Sequence, residues 1–175
     1  MTRCGLIRSN LSRSTLRATD LTGADLSSSD ISFANLEGAN LSRANLSSAD
    51  LTGADLTGAN LRGAILSSTI LKQADLTGAD LRGASLIKAD LESANFYETG
   101  FGFSTFVNWD LSKAMALEFA RHTGPSTIGL DTLAKSGGRI PRKFLEDAGV
   151  AAPLMKAQDL IMGVNRDFPS VLTIG

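Results

Sequence analysis

ADLSS SDISF ANLEG ANLSR ANLSS ADLTG ADLTG ANLRG AILSS TILKQ ADLTG ADLRG ASLIK ADLES ANFYE: from Ala24 to Glu98 the chain falls into units of five without a gap. The first slot of each unit is small (Ala24, Ala39, Ala54, Ala79, with Ser29 and Thr69 as variants), and two positions later comes a bulky apolar residue such as Leu26, Ile31 or Phe96. The other three slots are polar or Gly. A period of five fits neither an α-helix nor a flat strand. A chain with this pattern buries its small and large slots only if it turns a corner in every unit. Gly38, Gly53, Gly58, Gly63, Gly78 and Gly83 all fall in the last slot, where a turn with positive φ would favour glycine.

The beat extends backwards to CGLIR at Cys4 and forwards through TGFGF and STFVN to Asn108, twenty-one units in all. The pattern A-[D/N]-L-x-x resembles the pentapeptide-repeat family. That resemblance implies an all-β solenoid: a right-handed, four-sided β-helix with four units per coil and about five coils here. With rungs spaced about 4.8 Å apart, the rod would be roughly 25 Å long. The expected core includes Leu26, Leu36, Leu46, Leu56, Leu66, Leu76, Phe96 and Phe106. The expected division is a β-helix over 1–108 and a helical cap or connector over 109–175.

Composition narrows the function classes. The 175 residues carry 17 basic and 18 acidic side chains, a net charge of -1, which argues against direct nucleic-acid binding. No apolar run reaches membrane-spanning length, and the amino terminus lacks the apolar core of a secretory signal. The expectation is a cytoplasmic protein with no membrane association. A single cysteine, Cys4, excludes an internal disulfide and a cysteine-rich metal site, and no cofactor is expected.

With four units to a coil, residues twenty apart share a face. Asp20, Asn40, Asn60 and Asp80 form one outward column, and Arg43, Arg62 and Arg82 lie beside it. They form either a binding groove or a solvated face with local charge pairing. Ile65 and Ile70 replace Asp or Asn in consecutive units and should point outward, with Ile87 on the same face as Ile65. These six residues are the candidate interaction surface, although the carboxy-terminal segment is expected to fold back over the isoleucines. At the amino-terminal end, Arg3, Arg8, Arg13 and Arg17 would discourage end-to-end stacking of coils.

From Trp109 the pattern turns to short helices. Asp110 is expected to cap one in which Leu111, Met115 and Phe119 recur four apart; IGLDTLAKSGG reads as a second. A third begins at Ile140-Pro141 and ends at Gly149, and a fourth begins at Pro153 and runs to Gly163. The tail FPSVLTIG reads as a short strand. The pieces Ser126-Thr127-Ile128-Gly129, Asp131-Thr132, Ser136-Gly137, Ile140-Pro141, Phe144-Leu145 and Ala148-Gly149 resemble a connector in multidomain bacterial proteins. There it joins pentapeptide repeats to an effector domain of the Toll/interleukin-receptor (TIR) type, and Phe168 to Ile174 resembles that domain's first strand. The chain ends at that point, which implies a fragment of a longer effector or a free-standing relative.

Little in the sequence suggests catalysis. His122 is the only histidine, and Ser126, His122 and Asp131 make a triad only on paper, with no nucleophile elbow. SGGR at Ser136 is too short for a phosphate loop. The expected function is a non-enzymatic protein-interaction scaffold, the sensing or assembly arm of an effector-type protein. Its partner would be another protein or an appended effector domain, and homodimerisation through the carboxy-terminal segment is a further expectation. The alternative is a DNA mimic that binds gyrase and confers quinolone protection, as some members of the family do. Against it, residues 1 to 106 hold nine basic and eleven acidic side chains, too even a balance for a duplex mimic. An ice-binding face would need a regular Thr ladder, and the columns Ser27-Ser47-Ser67 and Thr57-Thr77 are too mixed.

Overall fold

One rung explains the others. In the computed structural model, which describes residues 5–156, the Leu26 N–H donates to the carbonyl of Asn45 (2.8 Å). The Asn45 N–H in turn donates to the carbonyl of Ala24 (2.9 Å). The exchange recurs with partners twenty residues on, giving parallel bridges from Gly5↔Asp25 to Asp80↔Gly100. Five residues therefore make one side, four sides close one coil, and the chain is a repeat β-helix.

Each corner is a tight turn. The Ser29 N–H donates back to the Leu26 carbonyl (3.2 Å), and Ser28, just before it, has φ +57°. Gly58 takes the equivalent position at φ +64°, but Phe33, Arg43 and Gln73 are held there as well. An L-residue in this region costs on the order of 1 kcal/mol, which the surrounding ladder must offset.

The bulky slots fill a narrow interior. Leu26, Leu36, Leu46, Leu56, Leu66, Leu76, Phe96 and Phe106 are all buried, with the alanines of the small slot beside them. Where the small slot is polar, its hydroxyl finds a carbonyl, either three residues back, as Ser29 does with Leu26, or one coil below. Thr69 donates to Leu46 (2.8 Å), Thr99 to Leu76 (2.7 Å) and Ser104 to Leu81 (2.9 Å). A buried hydroxyl satisfied in this way is tolerated among leucines.

The Asp/Asn slot has a structural role as well as a solvated one. The Asp50 carboxylate accepts from the N–H of Thr52 (2.9 Å) and from its hydroxyl (2.6 Å), an Asx turn that pins the corner. Stacked Asn side chains also bridge coils: Asn45 Nδ2 donates to Asp25 Oδ1 (3.1 Å), and Asn60 Nδ2 to Asn40 Oδ1 (3.1 Å).

At the carboxy-terminal end the ladder lengthens into short strands: β1 (Ser85–Ile87), β2 (Gly100–Phe101), β3 (Thr105–Val107), β4 (Arg121–His122) and β5 (Thr127–Ile128). They pair in parallel, in the orders β1-β3-β5 and β2-β4. Strand pairing thus continues past Asn108, where the sequence suggests helices. No helix joins Leu111, Met115 and Phe119. Instead there are two 3-10 turns, Leu111–Lys113 and Leu117–Phe119, and Met115 bridges Asn95 in the ladder. The spacing of four is an accident of a chain still going round the coil, which leaves Met115 and Phe119 exposed. Ala116, at φ +60°, marks where the register starts to slip: Gly100 pairs with Arg121, and Phe106 with Ile128.

Two α-helices follow, α1 (Leu130–Lys135) and α2 (Arg142–Asp147). Gly137 and Gly138 end α1 and Gly149 follows α2, each with positive φ. Helix α1 takes over hydrogen bonds that a further rung would have made. Buried Thr132 donates its hydroxyl to the Phe106 carbonyl (3.2 Å) and accepts from the Trp109 N–H (3.3 Å). Buried Ser136 accepts from the Leu111 N–H (3.0 Å). Helix α2 brings Phe144 edge-on to Phe101 (5.9 Å) and Phe106 (5.6 Å), and Trp109 closes on Phe106 (5.2 Å). A helical turn at 152–156 opens the fourth expected helix. The rest of that helix and the FPSVLTIG strand lie outside the described residues.

Candidate interaction surface

The arginine side is built around one carboxylate. Asp80 accepts from Arg82 Nε (2.8 Å) within its own unit and from Arg62 Nη1 (3.3 Å) one coil below. Partial burial pushes its carboxyl upward, but the hydrogen bonds and charge of Arg82, joined by Arg62, outweigh this and hold it below the usual carboxylate range. Arg82 is correspondingly held further into its charged form by Asp80. Arg62 and Arg82 thus show the local charge pairing weighed from the sequence, and both keep spare N–H donors. Arg43 is exposed and meets no carboxylate among the described residues. Its Cγ lies 3.8 Å from the place a Cβ on Gly63 would occupy, so its stem runs over that glycine.

The isoleucines form a second group. Ile65 bridges Ser85, two residues before Ile87, so Ile65 and Ile87 flank one side of the rod while Ile70 stands on the next. They are 44%, 37% and 37% exposed respectively. Through residue 156 the carboxy-terminal segment packs on the last rungs and leaves these side chains open, so the described residues do not form the expected cover. The substitutions also remove an acceptor. The N–H groups of Ser67 and Lys72, two residues after Ile65 and Ile70, lack the Asx bond that Ser47 and Thr52 make.

The amino-terminal arginines do more than guard an edge. Arg17 pairs with Glu37, and the Arg13 guanidinium sits 5.4 Å from the centre of the Phe33 ring. The period of twenty places each pair in one column, but the contacts themselves depend on side-chain rotamers that the spacing does not encode. A further pair also escaped the sequence reading: Tyr97 and Phe119, both exposed, meet as tilted rings with centroids 5.4 Å apart.

His122 is packed between Phe101 (5.6 Å) and Phe144 (4.8 Å). Both its ring nitrogens are buried without a hydrogen-bond partner, as is the Ser126 hydroxyl. The paper triad therefore does not assemble. Burial lowers the His122 pKa; Asp147 pulls it upward and Lys143 downward, and these two pair with each other. Among the described residues no cluster of His, Cys, Asp or Glu could hold a metal ion, and no helix is long and apolar enough to cross a membrane.

The sequence matches the family model for pentapeptide repeats, in eight copies, over residues 4–43, 29–67, 44–83 and 74–112. Among solved structures it is similar to HetL, a pentapeptide repeat protein involved in heterocyst differentiation regulation from the cyanobacterium Nostoc sp. strain PCC 7120. The two are 41% identical over 54% of this chain and 47% of HetL, with a TM-score of 0.45. The chain thus spans about half the length of HetL. It is also similar to alr5209, a pentapeptide repeat protein from Nostoc PCC 7120, at 39% identity over 69% of this chain and 86% of that one, TM-score 0.45. A trypsin-treated variant of QnrB1, a plasmid-mediated fluoroquinolone resistance protein, is 18% identical over 85% of this chain and 73% of its own, TM-score 0.38. No curated protein matches the chain.

Proposed function

The chain belongs to the pentapeptide-repeat family, and on that premise we propose that it is a non-enzymatic scaffold that presents the sides of its β-helix to a protein partner. The observation that carries this reading is the pair Ile65 and Ile70. Both are exposed at a slot where their neighbours place a hydrogen-bonding Asp or Asn, so the rod gives up local stability to display apolar side chains.

The finer reading is a right-handed rod of about five coils in the cytoplasm, with the segment after Asn108 as a cap that connects it to an effector domain of the TIR type. Thr132 and Ser136, bonded to the last rungs, support the cap. The exposed Tyr97–Phe119 pair supports homodimerisation at that end. The gyrase-directed alternative needs a dense anionic surface, and the side carrying Arg43, Arg62 and Arg82 counts against it.

The test is proximity labelling in the native host, comparing the wild-type chain with Ile65→Asn/Ile70→Asn. A partner labelled by the wild type and lost from the variant supports the scaffold. Identical labelling by the two chains refutes this surface, and a fluoroquinolone-protection assay on gyrase tests the alternative directly.

A further inference from the structure

The last-slot column on the arginine side runs Arg43, Gly63, Gly83, Phe103, one residue per coil. The Arg43 stem runs over Gly63, while Gly83 is open: a Cβ there would meet only Gly63 backbone, at 3.9 Å. The corner is therefore bare backbone at Gly83, with the Arg43 side chain on one side and the Phe103 ring, 69% exposed, on the other. Beside it, two shallow depressions open. One, of about 390 Å³, reaches from Arg62 and Arg82 to Phe103, and the other, of about 310 Å³, from Ser42 and Arg43 to Arg62. Arg62 lines both, so the two adjoin there and make a trough in two parts along the rod axis, from the rung of Thr22 to that of Thr123. Five rung spacings make this roughly 24 Å, the span of about seven extended residues.

The geometry points to this trough as the docking site for an extended acidic segment of a partner protein, its carboxylates on Arg43 and Arg62 and an aromatic or apolar side chain on Phe103. Charge complementarity carries the choice. On this side three guanidiniums stand against two carboxylates, Asp80, which Arg62 and Arg82 already share, and Asp20, which accepts from Thr22 at the far end and leaves Arg43 without an acidic partner, on a chain whose net charge is -1. Guanidinium forks bind carboxylates through paired N–H donors, and the bare backbone at Gly83 lets a peptide backbone approach closely there. A single nucleic-acid strand fits less well. It would set a phosphate beside nearly every rung, and a surplus of one positive charge neutralises few of them. The inference rests on the scaffold reading above, and names its partner class.

The test is a displayed seven-residue peptide library panned on the full chain. Synthesised winners are then titrated by fluorescence anisotropy against wild type, Arg43→Glu, Phe103→Ser and Lys135→Glu, with oligothymidylate as a second probe. The expected winners carry two or more carboxylates and one aromatic. Arg43→Glu should weaken them about tenfold or more, Phe103→Ser should weaken them independently, and Lys135→Glu, a charge reversal at an exposed position of α1, should leave them unchanged. Circular dichroism establishes that each variant is folded. Winners without carboxylates, winners indifferent to both Arg43→Glu and Phe103→Ser, or tighter binding of oligothymidylate at physiological salt would each overturn the trough. If no such peptide binds while a cellular partner is still lost with Ile65→Asn/Ile70→Asn, the trough fails and the scaffold stands; if neither occurs, both fail.

Discussion

The Phe33 ring lies across Gly53, one coil on, so closely that a Cβ added there would sit 2.6 Å from its Cε1. Gly53 also has φ +64°, as does Gly58, which has nothing within 4 Å of that position. The two glycines therefore separate a conformational cost from a steric one. Gly58→Ala should destabilise by about 1 kcal/mol. Gly53→Ala should cost about 1–3 kcal/mol more, through displacement of the ring. Denaturant unfolding of both variants, repeated in a Phe33→Ala background, checks this: without the ring the two glycines should become equivalent.

Ile65→Asn should stabilise the rod. The new side chain can accept from the Ser67 N–H, as Asn45 accepts from Ser47 (3.1 Å). The gain should be about 0.5–1.5 kcal/mol, read as a higher denaturation midpoint at unchanged slope. A loss of stability would mean that Ile65 serves packing rather than display.

Thr69→Val should destabilise by about 0.5–1.5 kcal/mol. It keeps the shape of the side chain but removes the hydroxyl's bond to the buried Leu46 carbonyl (2.8 Å), which still accepts from the Ala49 N–H (3.0 Å). Thermal unfolding against wild type measures this, and an unchanged midpoint would contradict it.

His122 predicts a pH dependence localised at the helical end. Its folded pKa is depressed, so the unfolded chain binds the proton more readily. The stability due to the neutral ring is present above its ordinary pKa of about 6.5. It is lost as pH falls through the lower, folded value. The midpoint of the wild type should therefore drop between about pH 7 and pH 5. His122→Phe, filling the space between Phe101 and Phe144, should flatten that slope. Parallel curves for the two chains would assign the slope to other groups, the carboxylates of Asp20 and Asp30 among them. Those are held low by the hydroxyls and N–H groups of Thr22 and Ser32, and titrate at more acid pH.

The regular part of the fold was legible because its cause is local and repeats. A small residue, a bulky one two places later and a turn-forming last slot specify one corner, and the corner specifies the rod. The candidate side chains were legible as columns, since a period of twenty places Arg62 under Arg82 without further information. Their partners were not: that Asp80 accepts from both, or that Phe33 covers Gly53, depends on rotamers that spacing does not encode. The sequence reading treated Asp and Asn as solvated, whereas Asp50 pins its own turn. Past Asn108 it met the opposite difficulty. Leu111, Met115 and Phe119 keep a helical interval while the backbone still follows the ladder, because pairing with existing rungs outweighs a helical pattern of only three residues.

The slip that begins at Ala116 gives the molecule a unit of length. As long as partners stand twenty apart, every face stays in phase, and the chain can add whole coils of about 4.8 Å indefinitely. One surplus residue before Arg121 and another before Thr127 end that equivalence. The rod's extent is thus set by a change of count as much as by exhaustion of the repeats. Insertion of twenty residues between Gly63 and Ala64 would lengthen it by one coil and leave both surfaces continuous. Insertion of five would turn everything beyond by a quarter revolution, parting Arg43 and Arg62 from Arg82 and Phe103 while leaving every corner intact. Family members can therefore vary in reach without redesign, but reorient a binding face only in right-angle steps.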